Sequence, residues 1–167
     1  MSSTTSPTPS DGVIAAVCFL GTGSAPLFFR TFAPYLGTPA ALQLELAVFS
    51  SLDVMDERVP ERRVPPAPAP PTACGFLGLL LHVEEFKVFG FATATSSRIV
   101  VVVRDVLLRE DKMRELFSQL HRCYAAAVAA PFYAEGAPLA GAQFARDVAR
   151  VVTAAGPQVL YAGATPF

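Results

Sequence analysis

Apolar and polar positions alternate in distinct modes along the chain, and each mode predicts an element. Residues 1–12 are Ser, Thr and Pro with almost nothing apolar. Such a stretch buries too little to offset chain entropy, so a disordered tail is expected there. Val13 to Leu20 is a continuous apolar run of strand length. "GTGSAP" has turn chemistry, and Leu27 to Phe32 is a second β-type run, which together predict a hairpin. Thr38-Pro39 reads as an N-cap followed by proline at the first helical position. A helix is expected from Ala40 to Glu57. Leu42, Leu46 and Phe49 recur on one side of it, with Val48, Leu52 and Met55 beside them. A helix this apolar should be buried over much of its circumference.

The pattern then breaks. Residues 58–73 contain six prolines, at 60, 65, 66, 68, 70 and 71. Proline fixes φ and removes donors, so an exposed polyproline-like inserted loop is expected. Three strands follow, at Phe76–Val83, Lys87–Thr95 and Ile99–Val103, separated by turns at "EE" and "TSS". Strands apolar on both faces belong to a sheet covered on both sides. From Glu110 to Ala129, Met113, Leu116, Phe117, Leu120, Tyr124 and Val128 hold a 3.6-residue period, and Pro131 stops that helix. A short final helix is expected from Gln143 to Thr153. The order is β-β-α-β-β-β-α-α, an α+β domain over residues 13–155 with a C-terminal tail at 156–167. Short links between strands predict antiparallel pairing, with the first helix on one face and the last two on the other.

Composition sharpens this picture. The hydrophobic share is 52% and the mean hydropathy +0.43. The chain of 167 residues has 13 basic and 14 acidic residues, against about 42 charges in a typical chain of this length. Either an unusual share of it is buried, or some surface is covered by another molecule. The net charge of −1 argues against nucleic acid as the main partner. The uncharged run from Val13 to Phe29 is interrupted by Gly21, Gly23 and Pro26, so no transmembrane segment is expected. Met1 to Gly12 has no Lys or Arg and carries Asp11, which argues against a signal peptide. Cys18, Cys74 and Cys123 are scattered and odd in number, which reads as reduced thiols.

Motifs for chemistry are sparse. "GTGSAP" lacks the third glycine of a dinucleotide loop, there is no P-loop lysine, and no GxSxG or HExxH occurs. His82 and His121 are far apart; no metal site and no cofactor is expected. Asp53 and Asp56 stand i,i+3 near a helix end, on one face. They read as a solvated helix end or as polar contacts to a partner, with acid–base catalysis ranked below both. Arg62, Pro65 and Pro68 have the spacing of a basic-flanked PxxP ligand. Pro131, Phe132 and Tyr133 place two large aromatics in a loop. They read first as a plug packed under the last helix beside Phe144, with a partner-facing anchor as the alternative.

"SLDVMDE" at 51–57, "FKVFGF" at 86–91, "LRE" with "RELFSQLH" and Tyr124, and "PFY" followed by Phe144 and Val148 together resemble the sedlin family. The likeness runs over residues 13–153. On that resemblance, Ser51, Leu52, Asp53, Asp56 and Glu57 match the first-helix motif, and Pro131, Phe132, Tyr133 and Phe144 the motif after the second. Ala130 departs from the family's usual Asn, and the N-terminal tail and proline loop are insertions. The resemblance implies a longin-like fold with a five-stranded antiparallel sheet, one helix on one face and two on the other. It implies a non-catalytic subunit of the TRAPP assembly, which tethers vesicles and activates Rab GTPases in ER–Golgi and Golgi traffic. Other TRAPP subunits would be the direct partners and a Rab GTPase an indirect one. The location would be cytoplasmic and perinuclear, at ER and Golgi membranes peripherally and only through the complex. The alternatives are a longin-type regulatory domain of SNARE or coat machinery and, below that, a small enzyme using Asp53 and Asp56.

Overall fold

The computed structural model describes residues 13–32, 38–61, 75–93 and 97–159. The expected tail at 1–12 and the PxxP residues Arg62, Pro65 and Pro68 lie outside the described residues. Strands β1 (Ile14–Leu20) and β2 (Pro26–Thr31) are followed by helix α1 (Ala40–Glu61). Strands β3 (Phe76–Val83), β4 (Phe86–Ala92) and β5 (Arg98–Arg104) come next, then helices α2 (Glu110–Val128) and α3 (Ala142–Val159). The five strands form one antiparallel sheet in the order β2-β1-β5-β4-β3. This is the expected longin-like α+β arrangement, in the expected element order.

β1 and β5 occupy the middle of the sheet and carry the most apolar runs in the chain. Ile99, Val101 and Val103 pack toward α2 and α3, while Val100 and Val102 pack toward α1. That is the two-residue alternation of a strand buried on both faces. A register irregularity between Ile14 and Ala16 changes the phase of β1. It lets both Ala15 and Ala16 lie in the cluster with α1. Two small side chains there let the helix approach the sheet closely. Gly90 in "FKVFGF" has a similar reason: a β-carbon there would stand 2.5 Å from Leu80 Cδ1 and 3.3 Å from the Met55 methyl.

Two helices outrun their expected ends. α1 continues through Arg58 to Glu61, so the composition break at residue 58 falls inside its last turn. Arg58 is held there, donating from Nη1 to the carbonyls of Leu77 (3.1 Å) and Leu79 (2.7 Å) on β3. α3 runs past Thr153 to Val159, with Pro157 inside it. Gly-Pro reads as a stop, but Val159 is fully buried and its carbonyl accepts from Arg109 N at 2.7 Å. Tertiary burial outweighs the local proline penalty at this helix end. The expected C-terminal tail therefore loses its first residues to the helix.

Candidate interaction surface

α1 carries two apolar stripes, and the sheet takes only one. Leu44, Ala47, Val48, Ser51, Leu52 and Met55 face it and are buried. Leu42, Leu46 and Phe49 point away and remain 63%, 58% and 42% exposed. The expectation of a helix buried over most of its circumference is corrected here. The stripe that docks contains Ala47, which shares a buried cluster with Ala15 and Ala16, and the buried Ser51. The bulkier stripe is left outside. At spacings of four and three residues, Leu42, Leu46 and Phe49 form one continuous ridge along the helix. Asp53 extends it at the next i+4 position, and Asp56 and Glu57 follow, all exposed.

The first-helix motif thus divides by depth. Ser51 is fully buried, and its Oγ donates to the Val48 carbonyl at 2.6 Å, which satisfies the hydroxyl within the helix. Leu52 is a core residue. Asp53 and Glu57 face solvent. Asp56 accepts an ion-paired hydrogen bond from Arg98 Nη2 at the start of β5. Neither Asp53 nor Asp56 lines the cavity between α2 and α3 or the groove beside β3.

The second motif lies on the opposite face of the sheet, with α2 and α3. Tyr133 is half-buried against the core, its N–H donates to Ala130 O at 3.0 Å, and its hydroxyl donates to Ala137 O at 2.8 Å. Burial, then the neighbouring Tyr124 and Glu135, push its phenol pKa up. Phe144 is buried, with edge contacts to Phe19 and Phe28 at 5.1 Å each. Pro131 is exposed and Phe132 is 100% exposed. The expected plug is therefore corrected at Phe132. Tyr133 packs against the core and Phe132 does not.

The remaining candidates for chemistry stand apart. His121 packs against the Phe91 ring at 5.5 Å. His82 Nε2 lies 2.8 Å from Asp105 Oδ2, and Lys87 Nζ 3.1 Å from Asp105 Oδ1. Those two partners, Lys87 first, hold the Asp105 carboxyl below its usual range. Among the described residues, no three His, Cys, Asp or Glu side chains are grouped so as to hold a metal ion, and no helix is long and apolar enough to cross a membrane. Sequence reasoning missed the exposure of the Leu42–Phe49 ridge. Its signal was present as a second apolar stripe on one helix, more than a single sheet face can cover.

Residues 19–154 match the family model described as Sedlin. A trafficking protein particle complex subunit 2-like protein from Dictyostelium discoideum is 26% identical over 83% of this chain and 96% of its own length. The protein of the same title from Xenopus tropicalis is 30% identical over 78% of this chain and 90% of its own. That from Mus musculus is 30% identical over 72% and 85%. With the family match spanning most of the described strands and helices, and relatives aligned over most of both lengths, the chain belongs to the sedlin family.

Proposed function

We propose that this chain is a non-catalytic subunit of the TRAPP assembly, acting in vesicle transport through protein–protein contacts. Its service to a Rab GTPase is indirect, through the exchange activity of the whole assembly. It reaches ER and Golgi membranes peripherally, from the cytoplasmic, perinuclear side, as part of the complex. The observation that carries this reading is the α1 ridge. Leu42, Leu46 and Phe49 are large apolar side chains left on an outer surface and continued by Asp53 and Glu57. Contiguous exposed apolar surface with a polar end is what a subunit interface requires. Asp53 and Glu57 set the register at its acidic end, and Phe132 is a second anchor on the opposite face. The proline-rich segment with Arg62, Pro65 and Pro68 supplies a separate PxxP ligand.

The test is affinity purification of the tagged chain from cells under gentle lysis. TRAPP core subunits should co-purify in near-stoichiometric amounts, and Phe49→Glu should reduce them while leaving the chain folded. Recovery of the chain alone, or with SNARE or coat components in their place, overturns the proposal.

A further inference from the structure

α3 ends beside the segment that leads into α2. Val159 O accepts from Arg109 N at 2.7 Å, and the planar peptide unit that carries this oxygen is the one that leads into Leu160. The exit of the chain from α3 is therefore fixed against Arg109. Arg109 is extended (φ −87°, ψ 115°), and its neighbours on either side, Leu108 and Glu110, line the groove beside β3. That groove is floored by the buried Phe76, Phe89 and Met113 and lipped by the exposed side chains of Leu79 and Leu107. Its volume is about 250 Å³, below the roughly 300–1,000 Å³ of a small-molecule pocket, so it suits one or two side chains.

We propose that this groove is an intramolecular docking site and that Tyr161, in the chain's own segment 160–167, is its occupant. The segment reads Leu-Tyr-Ala-Gly-Ala-Thr-Pro-Phe and has no charged side chain, so its entry into an apolar groove leaves no ion to desolvate. Two residues of extended chain beyond Val159 reach about 7 Å. That exceeds the roughly 4.8 Å between paired strands, so Tyr161 can cross residues 107–109 to the groove. A tyrosine suits it. The ring has an apolar body and a polar tip, and the groove has an apolar floor with Lys87 and Glu110 among its lining residues. The cavity between α2 and α3 also borders Val159, but Lys112, Glu115, Gln119 and Gln158 line it. An aromatic ring there would cover polar groups without bonding them. With Tyr161 in place the groove is occupied by its own chain, and another apolar chain gains it only by displacing that ring.

The chain contains no tryptophan, so Tyr161→Trp in the full chain supplies a single fluorescent reporter. Phe132→Trp, at a fully exposed position, supplies the solvent reference. Tyr161→Trp should emit to the blue of Phe132→Trp and be quenched several-fold less by acrylamide, at every concentration of a dilution series. Adding Leu107→Asp, on the lip of the groove, should return both readings to those of the reference with circular dichroism unchanged. Leu79→Asp, on the other lip, takes its place if Leu107→Asp does not fold. Quenching as strong as in Phe132→Trp overturns the proposal and leaves the groove to a partner chain. Protection that the lip substitution does not remove overturns it too, because the ring then lies in another site. So does protection lost on dilution, which assigns the groove to the segment of a second copy. If Tyr161→Trp does not fold, Tyr161→Ala decides. It should bind more of the apolar dye ANS than the parent, and Leu107→Asp should remove the excess; no excess, or one that stays, overturns the proposal. No TRAPP subunit enters the experiment, so its outcome is independent of the function proposed above.

Discussion

Asp56, in the penultimate turns of α1, is ion-paired to Arg98, the first residue of β5. The same guanidinium also donates to Ser24 Oγ at 3.3 Å in the β1–β2 turn. One arginine thus ties the acidic end of α1 to two parts of the sheet. Asp53, one turn earlier, faces solvent. Two carboxylates of one motif therefore have different work, and substitution separates them. Asp56 is mostly exposed, so Asp56→Ala should cost less than about 1 kcal/mol in urea unfolding. Asp53→Lys should leave stability within about 0.5 kcal/mol and lower recovery of partner subunits in the affinity purification. Unchanged recovery would remove the acidic helix end from the interface.

The strands were legible because their signal is local. Ile99 to Val103 is five β-branched residues in a row, a run that fits only a strand covered on both faces. The start of α1 was legible too: Thr38-Pro39 precedes it, and Ala41 N donates to Thr38 O at 3.0 Å. Rotation of α1 about its axis was not. Both of its stripes are apolar, and which of them is buried is seen only once the helix lies on the sheet. The contacts of Arg58 and Arg98 were hidden for a different reason. They join residues 21 and 42 apart in sequence, and no periodicity records them. The same holds for Phe132 and Tyr133, adjacent aromatics of which only one turns inward.

Phe132 and Phe144, the two phenylalanines of the second motif, give a second prediction. Phe144→Ala removes a ring packed against Phe19 and Phe28 and should cost about 3–5 kcal/mol. At about 2–4 °C per kcal/mol for a domain of this size, thermal unfolding should fall by roughly 6–20 °C. Phe132→Ala should leave the unfolding temperature within about 2 °C, because a fully exposed ring contributes nothing to the core. An Phe132→Ala protein as unstable as Phe144→Ala would place that ring in the core.

Asp105 sets a third. Hydrogen bonds from Lys87 and His82 lower its pKa from the ordinary value of 3.8. A carboxylate depressed in the folded state contributes stability above its unfolded pKa and loses it as pH falls through the folded value. The parent and Asp105→Asn should therefore differ in unfolding temperature at pH 6 and converge as pH is lowered below 3.8. A difference that persists at pH 2 would assign the contribution to packing.

Cys18 gives the last, with the opposite sign. It sits on β1 under α1, and burial, with a smaller push from Glu45, raises its thiol pKa from 9.0 to about 12. The thiolate is the reactive form. At pH 8, about four units below that value, only about one thiol in ten thousand is ionised, and the side chain is 1% exposed. Alkylation of native protein followed by peptide mass mapping should find Cys18 unmodified, with modification appearing only at the rate of unfolding. Cys123, partly exposed and with its thiol pKa raised by burial, should react before Cys18. The linkage also fixes a pH dependence. Above pH 9 the unfolded thiol ionises while the folded one stays protonated, so stability should decline from pH 9 toward 12. Cys18→Ala should be less stable at neutral pH and should lose part of that alkaline slope. Rapid labelling of Cys18 in the folded protein would mean that α1 lifts from the sheet on the time scale of the reagent.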